Sequence, residues 1–359
     1  MEQQLEEILK QGIDRARSKS GSALIMNVKT GEIKAMANYP TYNPAEYNKV
    51  EDASLFTNPA VSSPLEVGSI MKPLTAAAAL DKGVVNRNTS YYDPSYFIVD
   101  DAKITNIEED GGAGTKTVQD IIQLSLNTGA TWLLMQMGGG KINEQARVTW
   151  HDYMTNHYGF GKLTGIEQGY ESEGSIPDPK NGFGLDIQYA NSAFGQGMTA
   201  TPLQMAAAMG SVINGGTYYR PRLIDKIIGD NDKTIDQKKP EVVRTNVVNQ
   251  QTSKDIREIM EYAFSKNYLI YGLKDPRPNY SIGAKTGTAQ VAKPGGGYYE
   301  DRFNGTFLSY VGGNDPEYIV AVRVNEPGIA GYAGAKAAAP IGLGLINMLI
   351  DNFGVSPKN

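Results

Sequence analysis

A chain of 359 residues, 40% hydrophobic and 20% charged, with a net charge of −5 has the makeup of a folded globular protein, long for one domain but within reach of a single α/β catalytic domain with long loops. The acidic balance, with no run of lysine or arginine, excludes the basic footprint of a nucleic-acid binder. The absence of cysteine excludes thiol catalysis, disulfides and cysteine metal sites, and is compatible with an extracytoplasmic location.

In chain order, an acidic amphipathic helix is predicted over about residues 3–17; its opening does not have the form of a signal peptide. A strand pair follows at 23–28 and 32–37, joined by Lys29-Thr30-Gly31, a hairpin turn where a glycine with positive φ is wanted. After a Tyr-, Asn- and Pro-rich loop at 38–48, helical patterns dominate from Ser69 to about Asn214. They include 70–80, 118–124, 127–137 and 202–213, interrupted by an irregular Gly- and Pro-containing stretch at 159–184. Asp100-Asp101 and Glu108-Glu109-Asp110 read as solvated acidic turns, because no EF-hand spacing follows. A helix at 252–265 precedes three strands at 284–292, 303–311 and 318–324, with Pro294-Gly295-Gly296-Gly297 as a flexible strand connection, and a last helix starts near Ala337. The apolar run 341–350 is short of the roughly 20 residues of a membrane span and reads as a packed helix.

Strand pairs at both ends of the sequence with helices between them predict an α/β fold: one antiparallel sheet built from both chain ends, flanked by helices, beside a mostly helical subdomain. Residues 1–20 would be an N-terminal helix and linker, 21–60 and 280–359 the sheet-containing part, and 61–279 the largely helical part of a single domain.

Histidine is scarce. His151 and His157 fall in one segment away from any GxSxG-like serine, so no Ser-His-Asp triad is expected and both read as surface or structural residues. No His/Asp/Glu cluster has ligand spacing, and neither a metal nor a cofactor is expected.

Three short pieces fit one catalytic device: Ser69-Ile70-Met71-Lys72, Ser125-Leu126-Asn127 and Lys285-Thr286-Gly287-Thr288. Ser69 is the only serine with a lysine three positions later, a spacing that puts both on one helix face. A serine hydroxyl is a weak nucleophile until a base takes its proton, and a lysine can be that base where burial or a neighbouring cation lowers its pKa. Lys285 is a candidate for the cation. Gly68 suits a tight entry into the helix, whose first-turn amides are natural oxyanion donors. Singly, these patterns are weak: SxN recurs at Ser265-Lys266-Asn267, and K-[ST]-G at Lys19-Ser20-Gly21 and Lys29-Thr30-Gly31. Only the third K-[ST]-G copy lies in a run of small and β-prone residues, 283–291, that could line a cleft as a strand.

In their order and spacing the three motifs resemble the transpeptidase domain of a class B penicillin-binding protein. Segments 27–37 and 194–205 and Ala337-Ala338-Ala339-Pro340 resemble it too, so the likeness covers roughly residues 20 to 350. The resemblance implies a β-lactamase/transpeptidase-like fold and a peptidoglycan D,D-transpeptidase. Ser69 would be the nucleophile on a stem peptide ending in D-Ala-D-Ala, Lys72 its general base, Ser125 the proton relay to the departing amine, and Asn127 a ligand of Lys72 and the substrate amide. Lys285 would supply positive potential. Thr286, Gly287 and Thr288 would form the substrate-binding strand, the two hydroxyls holding the terminal carboxylate, and the amides of Ser69 and Thr288 would hold the oxyanion. β-Lactam antibiotics would block Ser69 as substrate mimics. Family members usually carry a membrane anchor and a pedestal domain, absent here, so the chain is expected to be an excised or minimal form of a protein on the extracytoplasmic face of the bacterial membrane. A membrane glycosyltransferase is the implied partner.

Two departures stand out: Val67 where the family usually has proline, and Leu126 where serine or cysteine is commoner. Tyr91-Tyr92 and Tyr298-Tyr299 are candidate aromatic walls for a peptide or glycan, with packing lids as the competing reading. A β-lactamase or D,D-carboxypeptidase is the first rival function, but no Glu-x-x-x-Asn for class A deacylation lies between Asn127 and Lys285, and class D relatives have valine at the Asn127 position. A non-catalytic β-lactam sensor is the second, disfavoured because Ser69, Lys72, Ser125, Asn127 and Lys285 are all in place.

Overall fold

A computed structural model of the chain describes residues 1–106 and 112–359, and the acidic stretch Glu108-Glu109-Asp110 lies outside the described residues. Strands β1 (Ser20–Asn27), β2 (Ile33–Tyr39), β3 (Ser281–Ala292), β4 (Tyr298–Gly312) and β5 (Pro316–Asn325) form one antiparallel sheet in the order β3-β4-β5-β1-β2. The N-terminal hairpin therefore pairs with the last strand, Leu24 opposite Ala321 and Ser22 opposite Arg323. Along the chain the main helices are α1 (Glu2–Arg15), α2 (Lys72–Asp81), α3 (Val118–Gln123), α4 (Asn127–Met137), α5 (Glu144–Asp152), α6 (Leu185–Ala193), α7 (Pro202–Ile213), α8 (Gln250–Asn267) and α9 (Ala339–Asn352).

Both faces of the sheet are covered, which explains why β1 and β5 are apolar without alternation. Ala23 and Ile25 of β1, with Val320, Val322 and Val324 of β5, join the core under α1 and α9. Leu24 and Met26, with Ile319 and Ala321, join the core shared with α2, α4, α7 and α8. The period-two pleat sorts consecutive residues between the two cores. On the outer side α1 buries Leu5, Leu9 and Ile13 at i, i+4 and i+8, one helical face. It meets α9 so closely that a Cβ on Gly12 would fall 2.1 Å from the Ile341 side chain. Among the described residues no helix is long and apolar enough to cross a membrane.

On the inner side the alanine run of α2 is buried all round, from Lys72 to Leu80, because small side chains let neighbouring helices approach from every direction. All twelve residues of α7 are buried, and it starts in a capping box between Thr201 and Gln204.

The structure departs from expectation in two places that bear on the site. First, 70–80 is not one helix: a 3-10 turn, Gly68–Met71, leads into α2 at Lys72, with Pro73 in the first turn, where its missing N–H costs nothing. Second, among the described residues between α2 and α3 the chain is not helical. It forms two short antiparallel pairs, Ser90–Asp93 with Gly114–Thr117 and Tyr96–Val99 with Ala102–Thr105. Alternating β-prone residues favour strands, and Asp100 and Asp101 at φ 46° and 64° supply the hairpin turn. Asp100 is more than a solvated turn residue, since its carboxylate accepts the Ile187 N–H of α6 at 3.0 Å.

Candidate active site

The first motif is seated by backbone packed against backbone. Gly68 has φ +63°, and a Cβ on it would lie 3.0–3.2 Å from the main chain of Thr288. A Cβ on Gly195, at φ +92°, would lie 2.0 Å from the Gly68 carbonyl oxygen. Side chains fit neither place, so glycine is required at both. The Gly68 N–H donates to the Gly195 carbonyl at 2.9 Å, and the Thr306 hydroxyl donates to the Val67 carbonyl at 2.8 Å. Further back, Leu65 and Ala200 exchange backbone bonds at 3.0 Å, and Arg323, its pKa pushed down to about 10 by burial, donates to the Ser63 carbonyl at 2.6 Å. The segment entering the turn is fixed without proline at Val67.

The three motifs meet at Ser125. Lys72, wholly buried, donates from Nζ to the Ser125 carbonyl and to its Oγ, the latter at 3.2 Å. Lys285, 3% exposed, donates to the same Oγ at 2.8 Å and to the Thr286 carbonyl at 3.0 Å. Two lysine amines from distant parts of the chain therefore converge on one hydroxyl. Ser125 itself has φ +61°, a left-handed conformation that costs a non-glycine residue about 1–2 kcal/mol. It lies between α3 and α4. Leu126 next to it is fully buried, which gives an apolar residue a reason to stand there. The Asn127 amide donates to the Thr105 carbonyl at 3.0 Å, a partner with no signature in the sequence.

Ser69, Ser125, Asn127, Lys285, Thr286 and Thr288 line one cavity of about 660 Å³. Lys72 and Gly287 are not on its wall. Gly287 lies behind the nucleophile turn, where a Cβ would meet the Val67 carbonyl at 2.7 Å. The Thr288 hydroxyl accepts the Gly334 N–H at 3.0 Å, which leaves its own proton to donate elsewhere.

Sequence reasoning missed part of the wall. Gln123, Asn267, Tyr271, Phe303 and Tyr332 line the same cavity. Asn267 belongs to the second SxN copy, but it arrives through the C-terminal end of α8 and donates to the Gln123 carbonyl at 2.8 Å. The Tyr271 hydroxyl bonds with the side chains of Asn267 and Thr286, and burial raises its pKa. No local pattern marks these residues, which come to the cavity from separate segments of the chain.

Three of the four aromatic candidates contact neighbouring residues, and Tyr92 is exposed. Tyr91 is buried and stacked on Trp132 at 4.3 Å between centroids. Tyr298 donates its hydroxyl to Glu66 at 2.8 Å, and Tyr299 lies under Arg302 at 4.3 Å; none of the four tyrosines lines the cavity. Glu66 also accepts the Gly197 N–H at 2.9 Å, and burial, outweighing both bonds, raises its pKa. His157 bonds through Nδ1 to the Val247 carbonyl at 2.7 Å and stacks on Tyr153. Among the described residues no group of three or more potential ligands could hold a metal ion.

Comparison with known proteins gives these residues a context. The family described as "Penicillin binding protein transpeptidase domain" matches residues 21–346. Stage V sporulation protein D of Bacillus subtilis is 31% identical over 367 aligned residues, covering 100% of this chain and 54% of that protein. Peptidoglycan D,D-transpeptidase FtsI of Escherichia coli is 26% identical, covering 95% of this chain and 53% of that one. The chain spans about half the length of the curated relatives it matches. Among solved structures, penicillin-binding protein 3 of Mycobacterium tuberculosis complexed with aztreonam superposes with a TM-score of 0.83 at 26% identity, covering 98% of this chain and 78% of that one. The transpeptidase domain of Burkholderia pseudomallei penicillin-binding protein 3 gives 0.78 at 26% identity, covering 99% and 96%.

Proposed function

This chain belongs to the penicillin-binding protein transpeptidase domain family, and from that membership we propose that it is a serine D,D-transpeptidase that cross-links peptidoglycan stem peptides and is acylated by β-lactams. The observation that carries the reading is the convergence of Lys72 and Lys285 on the Ser125 hydroxyl in the cleft that Ser69 lines. A lysine acts as a base only from its neutral form, and Lys72 takes that role in the proposed cycle.

In the proposed cycle the Ser69 hydroxyl passes its proton to Lys72 as its oxygen bonds to the penultimate D-Ala carbonyl carbon. The oxyanion is held by the amides of Ser69 and Thr288, whose backbones are brought together at Gly68. As the C–N bond breaks, the proton travels from Lys72 through Ser125 to the departing D-alanine nitrogen, leaving the acyl group on Ser69. The departing carboxylate is held by the Thr286 and Thr288 hydroxyls in the field of Lys285. An acceptor amine then attacks the ester, loses its proton along the same chain and restores the Ser69 hydroxyl. A β-lactam follows the first half only, because its leaving nitrogen stays tethered.

The names of the relatives, a D,D-transpeptidase and a penicillin-binding protein complexed with aztreonam, support this substrate and inhibitor class. We further propose, from family membership, that the activity lies on the extracytoplasmic side of a bacterial membrane, in a longer anchored protein working beside a glycosyltransferase. Incubation with a fluorescent penicillin, followed by intact mass over hours, tests the reading. A stable adduct lost in Ser69→Ala is expected; rapid turnover would mark a β-lactamase, and no adduct in the wild type a non-catalytic homologue.

A further inference from the structure

Helix α4, which carries Asn127, starts without a cap of its own. Its N-cap residue is Leu126, which makes no capping bond, although first-turn amides of a helix need acceptors. The acceptor comes from the hairpins before α3. The Thr128 N–H donates to Asn106 Oδ1 at 3.0 Å, and Asn106 Nδ2 donates to the Thr128 hydroxyl oxygen at 2.7 Å. Behind this pair lies Asp93, wholly buried. Its Oδ2 accepts from the Thr128 hydroxyl at 2.5 Å, the Tyr91 hydroxyl at 3.2 Å and Asn106 Nδ2 at 3.4 Å, while Oδ1 accepts the Ser95 N–H at 2.8 Å. A carboxylate at this end of a helix is also favoured by the helix dipole. The neighbouring Thr105 carbonyl takes the Asn127 amide, and the Tyr91 hydroxyl lies 2.8 Å from where a Cβ on Gly129 would be. Contacts from the hairpins thus fall on three consecutive residues, 127 to 129, immediately after the strained Ser125–Leu126 turn.

We propose that Asn106, backed by the buried Asp93, is a positioning residue for the second motif: it supplies in trans the cap that Leu126 cannot, and so holds Ser125 in its left-handed conformation and Asn127 at the cleft. Neither Asn106 nor Asp93 lines the cavity, so their effect on the reaction passes through α4. The inference rests on the reading of Ser125 as the relay to the leaving group. If that relay is what Asn106 aligns, its loss slows reactions whose leaving atom must be protonated more than reactions whose leaving group departs as an anion.

Two acylating agents separate the cases. Benzylpenicillin opens with a nitrogen that must take up a proton; a linear thioester donor with a D-configured acyl residue releases a thiolate, which needs none. In Asn106→Ala the rate of acylation by penicillin is expected to fall roughly tenfold or more, and that by the thioester by less than about threefold. A thermal melt accompanies each measurement; should Asn106→Ala not fold, Thr128→Val, which removes the hydroxyl shared with Asn106 and Asp93, carries the same comparison. Equal losses on both agents, or none on either, overturn the proposal and leave Asn106 a purely structural residue. A wild-type chain acylated by neither agent would instead overturn the transpeptidase reading itself.

Discussion

The first and second motifs are held by different means. Around Ser69, the turn Gly68–Met71 is wedged between the 194–197 loop and β3, main chain against main chain, with glycines at the contacts. Around Ser125 and Asn127 the supports are polar side chains, Asp93 and Asn106, reaching over from short hairpins to Thr128 of α4. Close backbone packing tolerates almost no added volume, because the neighbouring atoms have no rotamers through which to yield. A side-chain network loses one bond at a time and degrades by degrees. The nucleophile's seat should therefore fail abruptly under substitution, and the relay's seat gradually.

The sharpest break is expected at Gly195→Ala. Its φ of +92° and the 2.0 Å approach to the Gly68 carbonyl leave no room for a methyl group. The substitution is expected to lose about 3 kcal/mol or more of stability in urea denaturation, and acylation more than about 100-fold if the nucleophile turn shifts to relieve the clash. A variant with unchanged acylation would show that this seat is soft after all.

A middling and pH-dependent effect belongs to Glu66, which ties the 195–197 loop to Tyr298 at the start of β4. Burial raises its pKa above the usual 4.5, so the folded state binds more protons than the unfolded state in the window just above that value. Stability contributed at this position is then highest at low pH and falls as pH rises through the raised pKa. Thermal midpoints of the wild type and Glu66→Gln, measured from pH 4.5 to 8, should shift against each other in that direction, the wild type losing ground as pH rises. Parallel curves would mean that the carboxyl is effectively solvated.

The smallest change is expected at Val67. Val67 has φ −82°, near the range proline imposes, and its carbonyl is already fixed by Thr306. Val67→Pro is expected to alter stability by no more than about 1 kcal/mol and to leave penicillin acylation within a factor of about two, since rigidity at this point duplicates what the tertiary contacts supply. A large gain in acylation rate would show that the approach to Ser69 is looser than its hydrogen bonds suggest.

Much of this was legible in the sequence because the signals are local. The β1–β2 hairpin around Lys29-Thr30-Gly31, with Gly31 at φ +71°, follows from turn chemistry, and helices such as α4 and α7 follow from apolar runs. The antiparallel sheet made from both chain ends could be anticipated from the strand order. The hairpins between α2 and α3 could not be, because strands of four residues carry too few alternations to stand out from the helical patterns on either side. The 3-10 turn at Ser69 was hidden for a related reason: Gly68, at positive φ, sits against the distant backbones of Thr288 and Gly195.

The sequence alone determined the chemistry on offer: a serine with a lysine three residues on, a second serine with an asparagine, and a lysine on a strand, in an order that matches one family. Only the tertiary structure decided how these groups stand to one another. Lys72 and Lys285 are placed on the same Ser125 hydroxyl by the packing of α2, β3 and the strained turn before α4, and the cap on α4 comes from Asn106, 22 residues before Thr128. The physical reason is one of range. Propensity, turn chemistry and periodicity act over a few residues, whereas buried hydrogen bonds and close backbone approach depend on which distant segments fold together.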